Sequence, residues 1–341
     1  MVKRHVSLKD LAVELGVSVS TVSRALKNHP DISHQLTDKI QKIAIERNYT
    51  PNPLAMGLLK AQTKMIGVII PDIVTHFFAS VISGIESVAK EKGYFIVISS
   101  SNESFEKEKE SVENLLKSRV EGIIACISQE TNDISHFQRL INNEFPLVFF
   151  DRICEVLSVP SVTVNGFEAV KSIIHHFKDN GCKRIAYISG PSHLSISKNR
   201  KEGYLEGLNE CGLEFNPDLL VECNLSAADA SLATKQLLSL DKKPDAIFGI
   251  NDTIAFAAMK VIKKHGLKIP EDIALVGFTD EFHSTVVEPT LTSVTHPTFL
   301  MGREAARLFF NIIEKESTYH EKVILPTELI IRDSSVKRNV L

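Results

Sequence analysis

Apolar residues follow two rhythms along this chain. In residues 7–46 they recur every three or four positions, the spacing that lines one face of an α-helix. Leu8, Leu11, Ala12 and Leu15 form such a face. Ser7, with Asp10 three residues on, is a capping-box start, and Gly16 supplies the positive φ of a tight helix end. Ser18 can cap a second helix that buries Val22, Ala25 and Leu26. Ser33 can cap a third, with Leu36, Ile40, Ile43 and Ala44 closing a small core. From Met65 onward the rhythm changes. Short apolar runs (Ile66–Ile70, Tyr94–Ser99, Gly122–Ile127, Leu147–Phe150) alternate with amphipathic stretches such as Phe78–Lys92 and Glu106–Arg119. After Asn165 the pattern restarts with Arg184–Ser189, Leu219–Glu222, Ala246–Ile250 and Ile273–Phe278. This alternation predicts a doubly wound parallel α/β sheet, repeated in two lobes, behind an all-α head.

Composition agrees with more than one domain. At 341 residues, 43% hydrophobic and 24% charged, the chain exceeds the roughly 250–300 residues at which one core stops growing. The net charge of −3 hides an asymmetry: residues 1–64 hold ten Lys/Arg against five acids, a net +5, leaving −8 on residues 65–341. The five cysteines are widely spaced without a C-x-x-C pair, which predicts buried free thiols and neither a disulfide framework nor a zinc site. No apolar run nears the roughly 20 residues that span a bilayer, and the amino terminus has no signal-peptide stretch, so a cytoplasmic location without membrane contact is expected.

The small Ala12, the turn at Gly16 and the inward Val22 make the first two helices a helix-turn-helix pattern. The second helix then presents Val19, Ser20, Thr21, Ser23, Arg24 and Lys27 outward. Val19 and Ser20 at its start suit base edges, Arg24 a guanine or a phosphate, and Ser18, Thr21 and Ser23 phosphates. The same spacing also fits a plain three-helix module with a solvated basic face. Asn52-Pro53 is a helix-start signal for a short apolar segment, Pro53–Leu59, below the length at which an isolated helix holds in water. Leu58 there could wedge into a minor groove, or the segment could be a linker resting on the body.

In the body, ligands of doubly wound sheets bind beyond the carboxyl ends of strands. Those ends carry Asp72, Asp151-Arg152, Gly190-Pro191, Asn251-Asp252 and Thr279-Asp280, with Phe77 and Phe78 near the first. Carboxylates, arginines and aromatics facing across a cleft suit a polyhydroxylated or heterocyclic small molecule. Taken singly, one of the two phenylalanines could be core, Asp151 could cap a turn, and Arg200 could form an exposed pair with Glu202 or Glu206. An enzyme has less support: there is no P-loop, no dinucleotide fingerprint and no nucleophile elbow, and His175-His176 point apart on a helix. A free-standing sugar-binding protein would leave residues 1–64 unexplained.

Leu8-Lys9-Asp10-Leu11-Ala12, Gly16-Val17-Ser18, Thr21-Val22-Ser23-Arg24, Tyr49-x-Pro51-Asn52, Leu58 and Lys64-x-Ile66-Gly67 together resemble the lactose-repressor (LacI/GalR) family of bacterial transcription regulators. The resemblance implies a helix-turn-helix head over residues 1–50, a hinge over 51–64, and a two-lobed sensor of the periplasmic-binding-protein type I fold over 65–341. The lobes would be discontinuous, one of 65–164 plus 297–324 and the other of 165–296 plus 325–341. It implies a homodimer on near-palindromic double-stranded operator DNA, with Asn52, Ala55 and Leu58 of the hinge joining the head's contacts. Lys27 departs from the asparagine usual in the family. Phe77, Phe78, Asp151, Arg152, Arg200, Asn251 and Asp252 match positions lining the effector cleft, approached by a loop with Leu194 and Ile196. The family's acid after the Gly-aromatic pair is Thr279 here, with Asp280 one place later, and both are candidate contacts. A sugar or sugar derivative is the expected effector, with a nucleobase-type corepressor the alternative; no cofactor or metal is expected. The short tail after Asp333 lacks heptads, which favours a dimer over a tetramer.

Overall fold

The computed structural model describes residues 6–49, 63–315 and 320–336. The chain divides into two compact units that part between residues 63 and 64. The hinge positions Asn52, Ala55 and Leu58 lie outside the described residues.

In the head, α1 (Leu8–Leu15), α2 (Val19–Ala25) and α3 (His34–Glu46) enclose Leu11, Ala12, Val22, Ala25, Ile40 and Ala44. The capping box is formed: Ser7 Oγ accepts the Asp10 N–H, and the Asp10 carboxylate accepts the Ser7 N–H at 2.8 Å. Gly16 takes φ 68°, so its N–H returns to the last turn of α1 at the Ala12 and Val13 carbonyls. Leu26, Leu36 and Ile43, expected inside, pack against this core half-buried, because three short helices cannot cover every apolar side chain. Arg47 after α3 grips Glu14 at 2.6 Å.

The body contains two six-stranded sheets. The first, in the order β11-β5-β4-β3-β1-β2, uses β1 (Met65–Ile70), β2 (Phe95–Ser100), β3 (Ile123–Ala125), β4 (Leu147–Phe150), β5 (Ser161–Val164) and β11 (Lys322–Leu325). The second, in the order β12-β10-β9-β8-β6-β7, uses β6 (Ile185–Ser189), β7 (Leu220–Glu222), β8 (Ala246–Gly249), β9 (Ala274–Thr279), β10 (Thr292–Thr295) and β12 (Leu329–Ile330). All pairings are parallel except β10 with β12. Helices α4 (His76–Glu91), α5 (Phe105–Lys117), α6 (Ser135–Asn142) and α11 (Thr298–Ile313) accompany the first sheet. Helices α7 (Gly166–Asp179), α8 (Ser195–Glu210), α9 (Ala227–Leu238) and α10 (Asp252–Lys264) accompany the second. The chain passes between sheets after β5, after β10 and after β11; Leu325 still belongs to the first sheet, one residue past the expected boundary.

Several expected strand runs shorten for local reasons. The Tyr94 N–H closes the end of α4 on the Ala89 carbonyl, so β2 starts one residue later. β3 stops at Ala125 as the chain turns into a loop held by buried Glu108, which takes the Ser128 N–H at 2.6 Å. Leu219 closes a 3-10 turn capped by Asn216. Of the five free thiols, Cys126 and Cys182 are buried, whereas Cys154, Cys211 and Cys223 are half-buried rather than inside. His175 and His176 do face apart, toward Glu210 and Ser335.

The late helix α11 completes the first lobe by lying directly on α4. A Cβ at Gly84 would overlap the Phe299 carbonyl oxygen, and one at Gly302 the Val81 carbonyl oxygen, so the backbones touch where neither helix has a side chain. Gly302→Val must push the two helices apart, an overpacking cost of at least about 2 kcal/mol. A melting temperature lowered by several degrees is expected in thermal unfolding, and an unchanged one would contradict this packing.

Candidate functional site

The outer face of α2 is available to a partner. Val19 is 44% exposed, Ser20, Arg24 and Lys27 are exposed, and Thr21 and Ser23 are half-buried. Ser18 serves the helix itself: its Oγ accepts the Thr21 N–H at 3.1 Å and lies 2.7 and 2.8 Å from the Ser20 and Thr21 hydroxyls. Arg24 is only loosely held, 4.0 Å from Asp31 with both side chains more than half exposed, so it is free to turn toward an anion.

In the body, the carboxyl ends of both sheets and the crossing at His296 surround a cavity of about 360 Å³. The first lobe contributes Asp72, Thr75, Phe77, Phe78, Asn102, Glu103, Asp151 and Arg152. The second contributes Ile196, Arg200, Leu225, Asn251, Asp252, Thr253, Thr279 and Glu281. A smaller recess of about 190 Å³ shares Asp151, Ile196 and Arg200. Eight of the nine body residues expected at a ligand cleft therefore line one cavity. Phe78 is buried against Phe150, while Phe77 stands edge-on to it and to His296.

Each charged wall residue has a distinct job. Arg200 is 3% exposed and pairs with neither Glu202 nor Glu206. Its guanidinium lies 3.7 Å from the Phe278 ring centroid and donates to the Ile250 carbonyl. Burial lowers its pKa, and Asp151 opposes that shift. Arg152 is also buried, which works against its charge. The Glu103 carboxylate overrides that, at 2.9 and 2.8 Å from Nη1, and holds the guanidinium protonated. Asp252 braces the far wall: it accepts from Ser293 Oγ at 2.6 Å, the Glu281 N–H at 2.9 Å and Ser284 Oγ at 3.1 Å. Burial raises its pKa to about 6 against those bonds. Gly277 must be glycine, since a Cβ there would meet the Asp252 carboxylate.

Asp280 departs from expectation. Thr279 and Asp280 both have positive φ, 134° and 51°, which turns the Asp280 carboxylate to Arg332 at 2.6 Å, and it does not line the cavity. Thr279 does. Sequence reasoning also missed Glu103, Asn102 and His296. Asn102 and Glu103 follow β2, whose end belongs to the same strand-end rule, and their positive φ values of 49° and 61° mark the turn. His296 stands at the expected boundary between the lobes, which assigns it no contact with a ligand. Its Nε2 lies 3.7 Å from Asp151 Oδ1, and burial lowers its pKa to about 4, so the ring is neutral near pH 7.

The lobes also touch directly. Leu194 is buried in the first lobe's apolar cluster. The Gln129 backbone carbonyl lies 2.7 Å from His193 Nε2, and its side-chain oxygen accepts the Leu225 N–H at 3.0 Å. Its own N–H donates to Glu103 at 2.8 Å. The carboxylate that neutralises Arg152 therefore also positions the loop that bridges to the second lobe.

Two family models match in tandem. Residues 7–52 match bacterial regulatory proteins of the lacI family, and residues 63–333 match the periplasmic binding proteins and sugar binding domain of the LacI family. The chain is 30% identical to the HTH-type transcriptional repressor CytR of Escherichia coli (strain K12), over 96% of both chains. It is 34% identical to catabolite control protein A of Priestia megaterium, over 97% of this chain and 99% of that one. Among solved structures, the lac repressor dimer bound to operator and an anti-inducer is similar, with a TM-score of 0.85 and 26% identity over 98% of this chain and 100% of that chain. With head and body both matched, the protein belongs to the LacI family of bacterial transcriptional regulators and is a non-enzymatic repressor with a DNA-binding and an effector-binding domain.

Proposed function

We propose that this repressor binds a near-palindromic operator as a cytoplasmic homodimer and that a sugar or sugar derivative in the cavity between its lobes sets its operator affinity. The single observation carrying the effector reading is the cavity wall, where Asp151 and Asn251 from two strand ends and Arg200 from α8 line one space with the half-buried Phe77 ring. Carboxylate, guanidinium and amide groups hydrogen-bond hydroxyls, and an aromatic ring covers a sugar's C–H face. The sugar-binding description of the matched body model supports the same class. Effector binding favours one arrangement of the lobes, and operator affinity changes by its differential affinity for the two arrangements. An inducer, which releases DNA, is the expected sign.

On the DNA side, the reading rests on the exposed start of α2 and the basic head. Val19 and Ser20 would read base edges, while Thr21, Ser23, Arg24 and Lys27 would reach bases or phosphates. Asn52, Ala55 and Leu58 would complete the contact. Arg24→Ala is expected to weaken operator binding. If Arg24 reads a guanine, the loss is about 1–3 kcal/mol and confined to specific sites; if it meets a phosphate, the salt slope falls by about one. A titration with unchanged affinity and slope would remove Arg24 from the interface.

Leu58→Ala should cost specific binding and DNA bending far more than binding to random-sequence DNA, because unstacking matters only where the duplex is bent. Equal losses on both would exclude a wedge. For the cavity, Asp151→Ala is expected to abolish the change in operator affinity caused by a sugar that shifts the wild-type protein. A wild-type response in that variant, confirmed to melt cooperatively, would place the effector elsewhere.

A further inference from the structure

Six buried side-chain polar atoms lack a hydrogen-bond partner among the described residues, and three of them belong to residues lining the one cavity: Thr75 Oγ1, Arg152 Nε and His296 Nε2. Arg152 and His296 are each more than nine-tenths buried. An unpaired buried polar group is costly, so these atoms make demands on whatever fills the space. Arg152 Nε can only donate and asks for an acceptor oxygen. The neutral His296 ring and the Thr75 hydroxyl can each donate or accept, which a hydroxyl group answers in either sense.

The charges of the wall set a second condition. Asp72, Glu103, Asp151, Asp252 and Glu281 bring five carboxylates, against the guanidiniums of Arg152 and Arg200. Arg152 is already held by Glu103, while Arg200 lies on Phe278 and donates to the Ile250 carbonyl. The amino-terminal dipole of α10 already carries Asp252 in its first turn. An added anion would enter a wall of five carboxylates and two guanidiniums, negative on balance, with one of the two cations already paired to Glu103.

We infer that the effector is an uncharged polyhydroxylated molecule, excluded once it is phosphorylated, and that His296, with Arg152 and Thr75, determines its specificity. This rests on the effector reading given above. His296 is well placed for the task. Its ring stands edge-on to Phe77 and Phe278, at centroid distances of 4.9 and 6.0 Å, which fixes its orientation, and its Nε2 lies beside Asp151.

The test uses the full-length protein in thermal-shift and calorimetric titrations. The probes are glucose, galactose, ribose, maltose, adenosine and cytidine, each beside a phosphate ester of the same molecule. At least one uncharged probe is expected to stabilise the protein, with its ester binding at least about a hundredfold more weakly. His296→Phe, which keeps a ring between Phe77 and Phe278 but removes Nε2, should weaken that probe about tenfold, and His296→Asn should recover part of the loss. Tighter binding of an ester, or silence of every uncharged probe, would overturn the inference. Full affinity in His296→Phe together with loss in Asp151→Ala would overturn the specificity role alone. Full affinity in both variants would instead remove the ligand from this cavity and with it the effector reading.

Discussion

Burying the Arg152 guanidinium is tolerable only because Glu103 reaches it with both carboxylate oxygens across 49 residues of sequence. Much of the body's arrangement follows from that pairing. Glu103 belongs to the turn after β2, Arg152 to the turn after β4, and the two strands are separated by β1 and β3 in the sheet. Closing the pair draws two strand ends toward one cavity wall. Because the same carboxylate also takes the Gln129 N–H, it sets the loop that meets the second lobe. Breaking one partner of such a buried pair leaves an uncompensated charge, which makes the arrangement steep rather than gradual.

The opposite wall is organised by a carboxylate that has no ion-pair partner among the described residues. Asp252 instead accepts three neutral donors from β10 and from the segment after β9. Neutral donors stabilise a buried carboxylate less than an ion pair would, which fits the upward shift of its pKa. Its role is to hold Glu281 and Ser293 in place, and glycine at 277 is the space that this demands. The two walls thus differ in kind: one is clamped by opposite charges, the other by hydrogen bonds around a single charge.

What could be read from sequence was what is encoded over a few residues. The Ser7–Asp10 box, the left-handed Gly16 and the caps at Ser18 and Ser33 are local devices, and all four are formed. Alternating apolar runs located the strands, and the strand-end rule reached most of the cavity because parallel strands all deliver their ends to one side. Contacts across long separations stayed hidden. Nothing near Glu103 announces Arg152, and nothing near Asp280 announces that Arg332 will turn it out of the cavity. The neutral state of His296 depends on burial by residues from both lobes, which no window of sequence contains.

The close seat of α11 on α4 bears on how the chain is made. A polypeptide leaves the ribosome from its amino end, and domains fold as their parts emerge. The first lobe begins with β1 at residue 65, yet its core needs Met301, Ala305, Phe309 and Phe310 from α11. The five consecutive strands β6–β10 of the second lobe are all present once residue 295 has emerged. The lobe that starts first therefore waits for a helix that follows all of the other lobe's sheet except the short edge strand β12. Through most of its synthesis it stands with one apolar wall uncovered, and the glycine-lined contact between α4 and α11 is where that wall is finally closed.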